Sequence, residues 1–459
     1  MLPPVLEIYG IWHPDDDAGS VAVKAIEQHF HGTACAGLLR GTVEVYRRSE
    51  PWQTHAKRAA SSDDTAFDTH PALLAPRPIA LPGDRQSPPG LPTAAAWVAV
   101  VIVVGPELVD ALGAPRSPWF AYLKRLLDAA ERRASRVKCL PMLLPGTRLA
   151  IGSAASSLLG WLQAVGQRDA LLPPLASETH LHRGRCRDVA QVLASWMDPR
   201  VSVQGDAGER RLQVFISHTK HRSNNGDERV GELISLVRQV LGNTRLGTFY
   251  DANDLQASDD WAKALRSRAA RCAVLAVRTD QYASREWCQR EVLIAKQQGH
   301  PVVMLDALTD GELRGSFLLD HVPRMPARDT GAGGPAAAGD WSADRVEQAI
   351  NQLVDAWLQR VLWERLREMA EVDGHAAYAG YQWVPHAPEP ATLALWLSPD
   401  AEVPESLRLR HRRGQVLRLL HPDPPMASDE QQVLARIARL AGVKDLELTT
   451  PRLLAARGA

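Results

Sequence analysis

The sequence predicts an α/β protein with flavodoxin-like parallel sheets and helices on both faces, arranged in more than one domain. Apolar segments of strand length alternate with amphipathic segments of helix length, most clearly between residues 211 and 330. Parallel strands need a crossover connection, which is usually a helix, so this alternation is typical of a doubly wound sheet. The chain has 459 residues, which suggests two to four domains of about 100–200 residues each.

Residues 1–200 form the first predicted domain, with a proline-rich, irregular insertion over 49–93. Asp15, Asp16 and Asp17 precede its first helix, where carboxylates favour the positive end of the helix dipole. This interpretation is preferred to a cation site. Strands are predicted at 5–12, 42–46, 97–104 and 138–144, and helices at 20–30, 119–133 and 187–197.

Residues 208–372 form the second predicted domain, and 378–459 a small α/β module. A glycine- and alanine-rich loop is predicted at 330–339. In the second domain, strands are predicted at 212–217, 246–250, 272–277 and 301–305, and helices at 230–241, 261–271, from Trp287 onward and at 343–371. In the last module, strands are predicted at 392–397 and 416–420, and a helix at 429–441.

Composition excludes several classes of function. The 53 basic and 53 acidic residues cancel, so no overall field favours nucleic acid or an anionic membrane as a partner. The longest apolar run, 94–104, is much shorter than the ~20 residues that span a bilayer. No signal peptide is recognisable, and the five cysteines are scattered and never form a CxxC motif. This favours reduced thiols in a cytoplasmic protein, with no metal site.

The segment Tyr282–Glu291 carries the candidate chemistry. It follows an apolar strand and has the composition of a helix start. Residues four apart share one helix face, so Trp287 and Glu291 would meet at the carboxyl edge of the sheet, where open α/β folds bind ligands. An aromatic plane beside a carboxylate suits a flat cationic ring such as the nicotinamide of NAD+. The more general interpretation is a half-buried tryptophan and a solvated glutamate, without function.

Three motifs follow one another in the second domain: Val214–His218, Phe249–Leu255 and Tyr282–Glu291. They resemble, in order, the first strand, the second strand with its BB loop, and the start of the αC helix of a Toll/interleukin-1 receptor (TIR) domain. Each motif alone is weak, but their order and placement are specific. Residues 212–308 therefore resemble a TIR domain of the bacterial, NAD+-cleaving type.

The resemblance implies site residues. Enzymatic members of the family cleave the nicotinamide–ribose bond with a glutamate on αC, the position of Glu291, and Trp287 would line the nicotinamide end. Two departures concern the BB loop: Ser258 stands where many members carry glycine, and Gln256 where some carry an acid. The other implied substrate-binding residues are Ser217, His218, Lys220, Phe249, Asp251 and Leu255.

The chemistry fits a carboxylate without a metal or a cofactor, because NAD+ is the substrate. Cleavage of the N-glycosidic bond proceeds through an oxocarbenium-like state, which a nearby carboxylate stabilises. Water then gives ADP-ribose, whereas internal capture by adenine gives a cyclic product. Cys288 is interpreted as a small buried side chain rather than a nucleophile.

The resemblance implies a cytoplasmic NAD+ glycohydrolase that is activated by self-association of TIR domains and depletes NAD+ in antiviral defence. A defence-system sensor protein or a nucleotide messenger would supply the trigger. Two alternatives stay open: a synthase that makes a cyclic ADP-ribose messenger, and a non-enzymatic adaptor that only binds other TIR domains.

The first domain resembles a degenerate copy of the second. Ser117–Phe120 mirrors Ser284–Cys288, and Leu123 stands four residues after Trp119, where Glu291 follows Trp287. This alignment predicts that the first domain kept the fold, lost the carboxylate, and senses, scaffolds or dimerises.

Overall fold

The computed structural model describes most of the two predicted α/β domains and short parts of the last module. The predicted helix at 261–271 and the loop at 330–339 lie outside the described residues. Those residues are 4–31, 43–49, 76, 79–82, 95–113, 117–144, 147, 149–150, 152–162, 178–198, 212–219, 226–244, 246–249, 272–297, 300–309, 311–312, 315–316, 319, 322–329, 341–372, 377–379, 382–384, 394–395, 417–420, 427–440 and 446–449.

Two parallel sheets dominate the described residues, and the predicted α/β class is confirmed. The first has the strand order β2-β1-β3-β4, and the second has the order β6-β5-β7-β8-β9. Both begin with the order of flavodoxin-like, doubly wound sheets. The strands are β1 (Leu6–Ile11), β2 (Val43–Arg47), β3 (Trp97–Val104), β4 (Val137–Leu143), β5 (Gln213–Ser217), β6 (Gly247–Phe249), β7 (Cys272–Arg278), β8 (Val302–Asp306) and β9 (Arg324–Pro326).

Helices cover both faces of the first sheet. Because side chains alternate along a strand, Ile8 points into one apolar cluster and Tyr9 into the other. Helices α1 and α5 pack on the Ile8 face, and α2, α3 and α4 on the Tyr9 face. Their bounds are α1 (Asp17–His31), α2 (Pro106–Leu112), α3 (Pro118–Glu131), α4 (Ala154–Leu162) and α5 (Glu178–Met197).

The second sheet is covered in the same way. Ile216 of β5 faces helices α6 and α8, whereas Phe215 faces helix α7. The bounds of these helices are α6 (Gly226–Gly242), α7 (Glu286–Gln297) and α8 (Ala343–Val372).

Helix α8 joins the two sheets into one body. Its apolar residues belong to the same buried cluster as those of α1 and α5, so a single core runs across both predicted domains. The indole Nε1 of Trp357 donates to Asp198 Oδ2 at 3.0 Å. At the same junction, His29 Nε2 lies 2.9 Å from Asp355 Oδ1. The order of layers is therefore helices, sheet, α1 with α5, α8 with α6, sheet, and α7.

The last module contributes an antiparallel sheet, β10-β11-β12, and a parallel pair, β13-β14. A helix lies between the two parallel strands in the chain, so this part is α/β as predicted. The elements are β10 (Ala377–Ala379), β11 (Gln382–Val384), β12 (Ala394–Leu395), β13 (Leu417–Leu420), α9 (Ser428–Leu440) and β14 (Leu446–Thr449).

The sequence prediction missed α2, α4, β9, β10, β11 and β14, and it began α5 too late. Helix α5 starts at Glu178 rather than 187. Its first turns escaped the prediction because their sequence is polar and lacks apolar periodicity. Helix α2 spans only seven residues, which is too short for a periodic signal. Strand β9 has three residues and ends at Pro326, and proline normally argues against a strand.

We expect Asp198→Ala to lower the free energy of unfolding by about 1–3 kcal/mol, because the indole N–H of Trp357 loses its buried acceptor. Arg360, whose Nη2 lies 3.6 Å from Asp198 Oδ2, loses a partner as well. Chemical denaturation measures the change. The matched control is Asp329→Ala, which removes an ion pair with Arg345 at a carboxylate that is 66% exposed, and should leave the unfolding transition nearly unchanged, because exposed ion pairs contribute little to stability. If one core holds both sheets, they unfold together; separate transitions with only one shifted would contradict the shared core.

Candidate functional site

The candidate site lies at the carboxyl edge of the second sheet, where β5 and β7 end side by side. Ser217 is the last residue of β5 and pairs with Ala276 of β7. A turn leads from β7 to helix α7, which begins at Glu286. The first turns of this helix therefore pass over the end of β5. Glu291 thus lies at the carboxyl edge of the sheet, next to Ser217.

A chain of hydrogen bonds connects Glu291 to the sheet. Ser217 Oγ donates to Glu291 Oε2 at 2.5 Å. Ser217 Oγ also lies 2.6 Å from the hydroxyl oxygen of Tyr282. Ser217 is 1% exposed, Tyr282 is 0% exposed, and Glu291 is partly buried. The structure thus brings two predicted site residues, Ser217 and Glu291, into direct contact and adds a third side chain.

Burial raises the pKa of Tyr282 well above its ordinary value, and the nearby Cys288, Glu291 and Glu312 raise it further. The hydrogen bond to Ser217 opposes this shift. The phenol of Tyr282 consequently keeps its proton throughout the neutral range and is available as a hydrogen-bond donor.

Trp287 differs from the general interpretation of a half-buried ring. It is the second residue of α7, and its side chain is 59% exposed. The guanidinium carbon of Arg290 lies 5.6 Å from the ring centroid. An exposed aromatic surface therefore lies one helical turn from a carboxylate that is bonded to a buried hydroxyl.

Of the two residues predicted in the first loop, His218 is described and Lys220 lies outside the described residues. His218 follows β5, and its Nδ1 donates to the carbonyl oxygen of Thr219 at 3.1 Å. Cys288 is buried, as predicted, and its Sγ donates to the carbonyl oxygen of His218 at 3.8 Å. The hydroxyl oxygens of Thr219 and Thr279 are 2.9 Å apart, which ties the end of β5 to the end of β7.

The second predicted motif is described only at its start. Phe249 is the last residue of β6, and its backbone pairs with Phe215 of β5. It therefore lies beside β5, one position further from the carboxyl edge than Ile216. The predicted residues Lys220, Asp251, Leu255, Gln256 and Ser258 lie outside the described residues.

Sequence reasoning missed a buried ion pair next to the site. Arg278 Nη2 and Glu312 Oε2 are 2.5 Å apart, and the two side chains are 10% and 4% exposed. Glu312 is close enough to raise the pKa of Tyr282. A charged residue at the end of an apolar strand was the available signal for Arg278. Glu312 lies in a loop that is ordered by Asp280, whose Oδ1 accepts from the N–H groups of Thr309 and Gly311 at 2.9 and 3.1 Å, and it carried no sequence signal.

The strand pairings allow the two sheets to be compared position by position. Ile11 ends β1 and pairs with Ile102, two residues before the end of β3. Ser217 ends β5 and pairs with Ala276, two residues before the end of β7. Ile11 is therefore the positional counterpart of Ser217, and the two side chains lie on the sheet faces that α3 and α7, respectively, cover.

The same comparison relates the two helices. Trp119 is the second residue of α3, as Trp287 is of α7. Leu123 then corresponds to Glu291, and it is completely buried. An isoleucine and a leucine thus occupy the positions that correspond to the serine and the glutamate, and they pack in an apolar cluster.

Helix α2 closes this edge of the first sheet. The carboxylate of Asp16 accepts from the N–H groups of Glu107 and Leu108 at 3.4 and 3.3 Å, and thereby caps α2. Burial raises the pKa of Asp16, and the two backbone hydrogen bonds oppose the shift. A Cβ atom at Gly105 would lie 2.4 Å from the Asp16 carboxyl group, so any other residue there would displace this carboxylate.

The role predicted for the three aspartates is corrected by this contact. Only Asp17 lies in the first turn of α1, whereas Asp16 caps a different helix. The ring of His13 packs against Trp119 with centroids 5.4 Å apart, next to the capped helix. The edge that corresponds to the candidate site is therefore filled by protein side chains.

No protein-family model matches the chain, and no curated protein sequence matches it either. In the part of the chain that the structure describes, no group of three His, Cys, Asp or Glu side chains could hold a metal ion. No helix in that part is both long and apolar enough to cross a membrane.

We expect Leu123→Glu to lower the free energy of unfolding by about 2 kcal/mol or more, because a carboxyl group would be buried without a partner. Leu123→Met, which conserves volume, should cost less than about 1.5 kcal/mol. Chemical denaturation of both variants tests whether the first half provides a polar partner at this position. Equal stability of Leu123→Glu and the native protein would show that it does.

Proposed function

We propose that this chain is a TIR-type NAD+ glycohydrolase in which Glu291 is the catalytic carboxylate. The supporting observation is the position of Glu291 at the carboxyl edge of a parallel sheet, bonded to Ser217 and one turn from an exposed tryptophan. Ligands of open α/β folds bind at this edge. The motif order in the sequence supports the same assignment.

The reaction needs little more than charge stabilisation. The bond between ribose C1′ and the nicotinamide nitrogen breaks, and its electron pair neutralises the pyridinium ring. The carboxylate of Glu291 stabilises the positive charge that develops on the ribose. Water then forms a bond to C1′ and releases a proton, giving nicotinamide and ADP-ribose.

Trp287 provides a surface for the cationic ring. A cation–π contact stabilises nicotinamide while it is attached and positively charged. Cleavage removes this charge, so the contact weakens and the product leaves more easily. Ser217 and His218 lie at the same edge, and Lys220, Phe249, Asp251 and Leu255 are proposed to contact the rest of NAD+ on the basis of the family resemblance alone.

We further propose that the protein acts in the cytoplasm as a bacterial antiviral effector, activated when copies associate through their TIR domains. A sensor protein or a nucleotide messenger of the defence system would trigger this association. The first half has an apolar, closed edge in place of a catalytic one, which suits a scaffolding or sensing role.

Glu291→Gln should reduce nicotinamide release from NAD+ by about 100-fold or more, because the amide cannot stabilise the developing charge. The control is Glu286→Gln, a glutamate in the first turn of the same helix, which should retain native turnover. Release is measured by chromatography at several protein concentrations. Undiminished turnover in Glu291→Gln would eliminate the mechanism.

The products distinguish the alternatives. ADP-ribose supports hydrolysis, and a cyclic isomer of ADP-ribose identifies a synthase that uses the same site. Absence of turnover under every assembled condition, together with TIR-dependent binding of a partner, would identify an adaptor.

Trp287→Ala should raise KM for NAD+ by about 3- to 30-fold, which corresponds to a cation–π contact of about 0.7–2 kcal/mol. Trp287→Phe should recover part of the affinity, because its ring retains a weaker π-face. Steady-state kinetics with both variants test this role. A loss confined to kcat, with KM unchanged, would show that the ring does not bind the ground-state substrate.

A further inference from the structure

We propose that Tyr282 is a positioning residue that acts on Glu291 through the hydroxyl of Ser217. Its effect on catalysis rests on the proposed NAD+ glycohydrolase function. Its effect on the ionisation and orientation of Glu291 does not depend on that function.

The direction of the hydrogen bonds follows from the donors that are present. The buried phenol of Tyr282 keeps its single proton, and Glu291, when ionised, can only accept. Ser217 Oγ lies 2.6 Å from the phenol oxygen and 2.5 Å from Glu291 Oε2. The single arrangement that satisfies both contacts has Tyr282 donating to Ser217 and Ser217 donating to Glu291. Without the phenol, the serine proton could also rotate away from the carboxylate.

Both donors are held by the sheet and by the turn that follows it. Ser217 is fixed by its pairing with Ala276 on the neighbouring strand. The backbone N–H of Tyr282 donates to the carbonyl oxygen of Thr279 at 2.9 Å, and its own carbonyl oxygen accepts from the N–H of Arg285 at 3.2 Å. The chain of hydrogen bonds therefore orients the carboxylate from the rigid part of the fold.

The groups around the phenol of Tyr282 favour its protonated form, in which it can donate to Ser217. Cys288 and Glu291 face it from α7, and Glu312 faces it from the loop after β8. Arg278 pairs with Glu312 and so reduces the negative charge near the phenol. His218 follows Ser217 on the β5 side and donates to the backbone at Thr219.

The consequence for Glu291 is a more stable carboxylate form. A donor to the ionised form favours that form, and donors in a chain strengthen one another. Removing the serine hydroxyl should therefore move the protonation of Glu291 to higher pH by about one unit, and removing only the phenol hydroxyl by about half a unit.

The first experiment uses the pH dependence of kcat/KM for NAD+. In Tyr282→Phe and Ser217→Ala, the acidic limb should shift upward by these amounts, and in Tyr282→Phe KM at high pH should change little. The double variant should match Ser217→Ala, because Tyr282 acts only through Ser217. Ser217→Thr, which keeps a hydroxyl, should restore the native limb. The control is Tyr122→Phe, another buried tyrosine, which lies on helix α3 against the first sheet and should leave the limb unchanged.

The second experiment does not require activity. The full chain is labelled with 13C at the glutamate side-chain carboxyl carbon, and Glu291 is assigned by the resonance that Glu291→Gln lacks. Its titration by NMR should move upward in Tyr282→Phe and Ser217→Ala and stay in place in Tyr122→Phe.

The two experiments separate the two proposals. A native protein without turnover whose Glu291 resonance shifts as expected would overturn the NAD+ glycohydrolase and support the positioning role. Normal turnover in the native protein, with an unmoved resonance and an unmoved acidic limb in Tyr282→Phe, would overturn the positioning role and leave the function standing.

Discussion

The two sheets depend on helix α8, which is buried against α5 on one side and the second sheet on the other. Its apolar stripe contains Ile350, Leu353 and Trp357, all fully or almost fully buried. Polar contacts fix the position of the helix within this apolar layer, including the bond from Trp357 to Asp198. Apolar packing alone tolerates sliding, whereas a buried polar contact is satisfied in one register only. The helix therefore determines how the halves are placed.

This arrangement allows different side chains at the carboxyl edges of the two sheets. The core lies between the sheets, on the side of α1, α5, α6 and α8, and the candidate site lies on the opposite face, under α7. In the first half, the corresponding face carries α3 and the added helix α2, whose N-terminus is capped by Asp16. The same strand order thus supports one edge filled with apolar side chains and one edge with a bonded carboxylate.

Much of the fold could be predicted from the sequence, because long apolar strands and amphipathic helices have periodic signals. The predicted strand at 97–104 coincides with β3, and the predicted helix at 343–371 nearly coincides with α8. Glu291 and Ser217 were found as single residues through the motif order. Their contact with Tyr282 was not, because it depends on the path of the turn after β7 and on the placement of α7. The Arg278–Glu312 pair joins a strand end to a loop 34 residues away, and no local pattern predicts such a contact.

The comparison of the two halves also indicates that Ser217 and Glu291 form one unit. A buried serine that loses its carboxylate acceptor costs free energy, and a carboxylate that loses its donor is poorly solvated. Replacing only one of the two would therefore be unfavourable, whereas replacing both with apolar side chains restores a satisfied interior. The first half has an apolar pair at the corresponding positions, with Ile11 and Leu123 both completely buried. The same strand order thus accepts a bonded polar pair in one half and an apolar pair in the other, so the sheet topology alone does not dictate the serine and the glutamate.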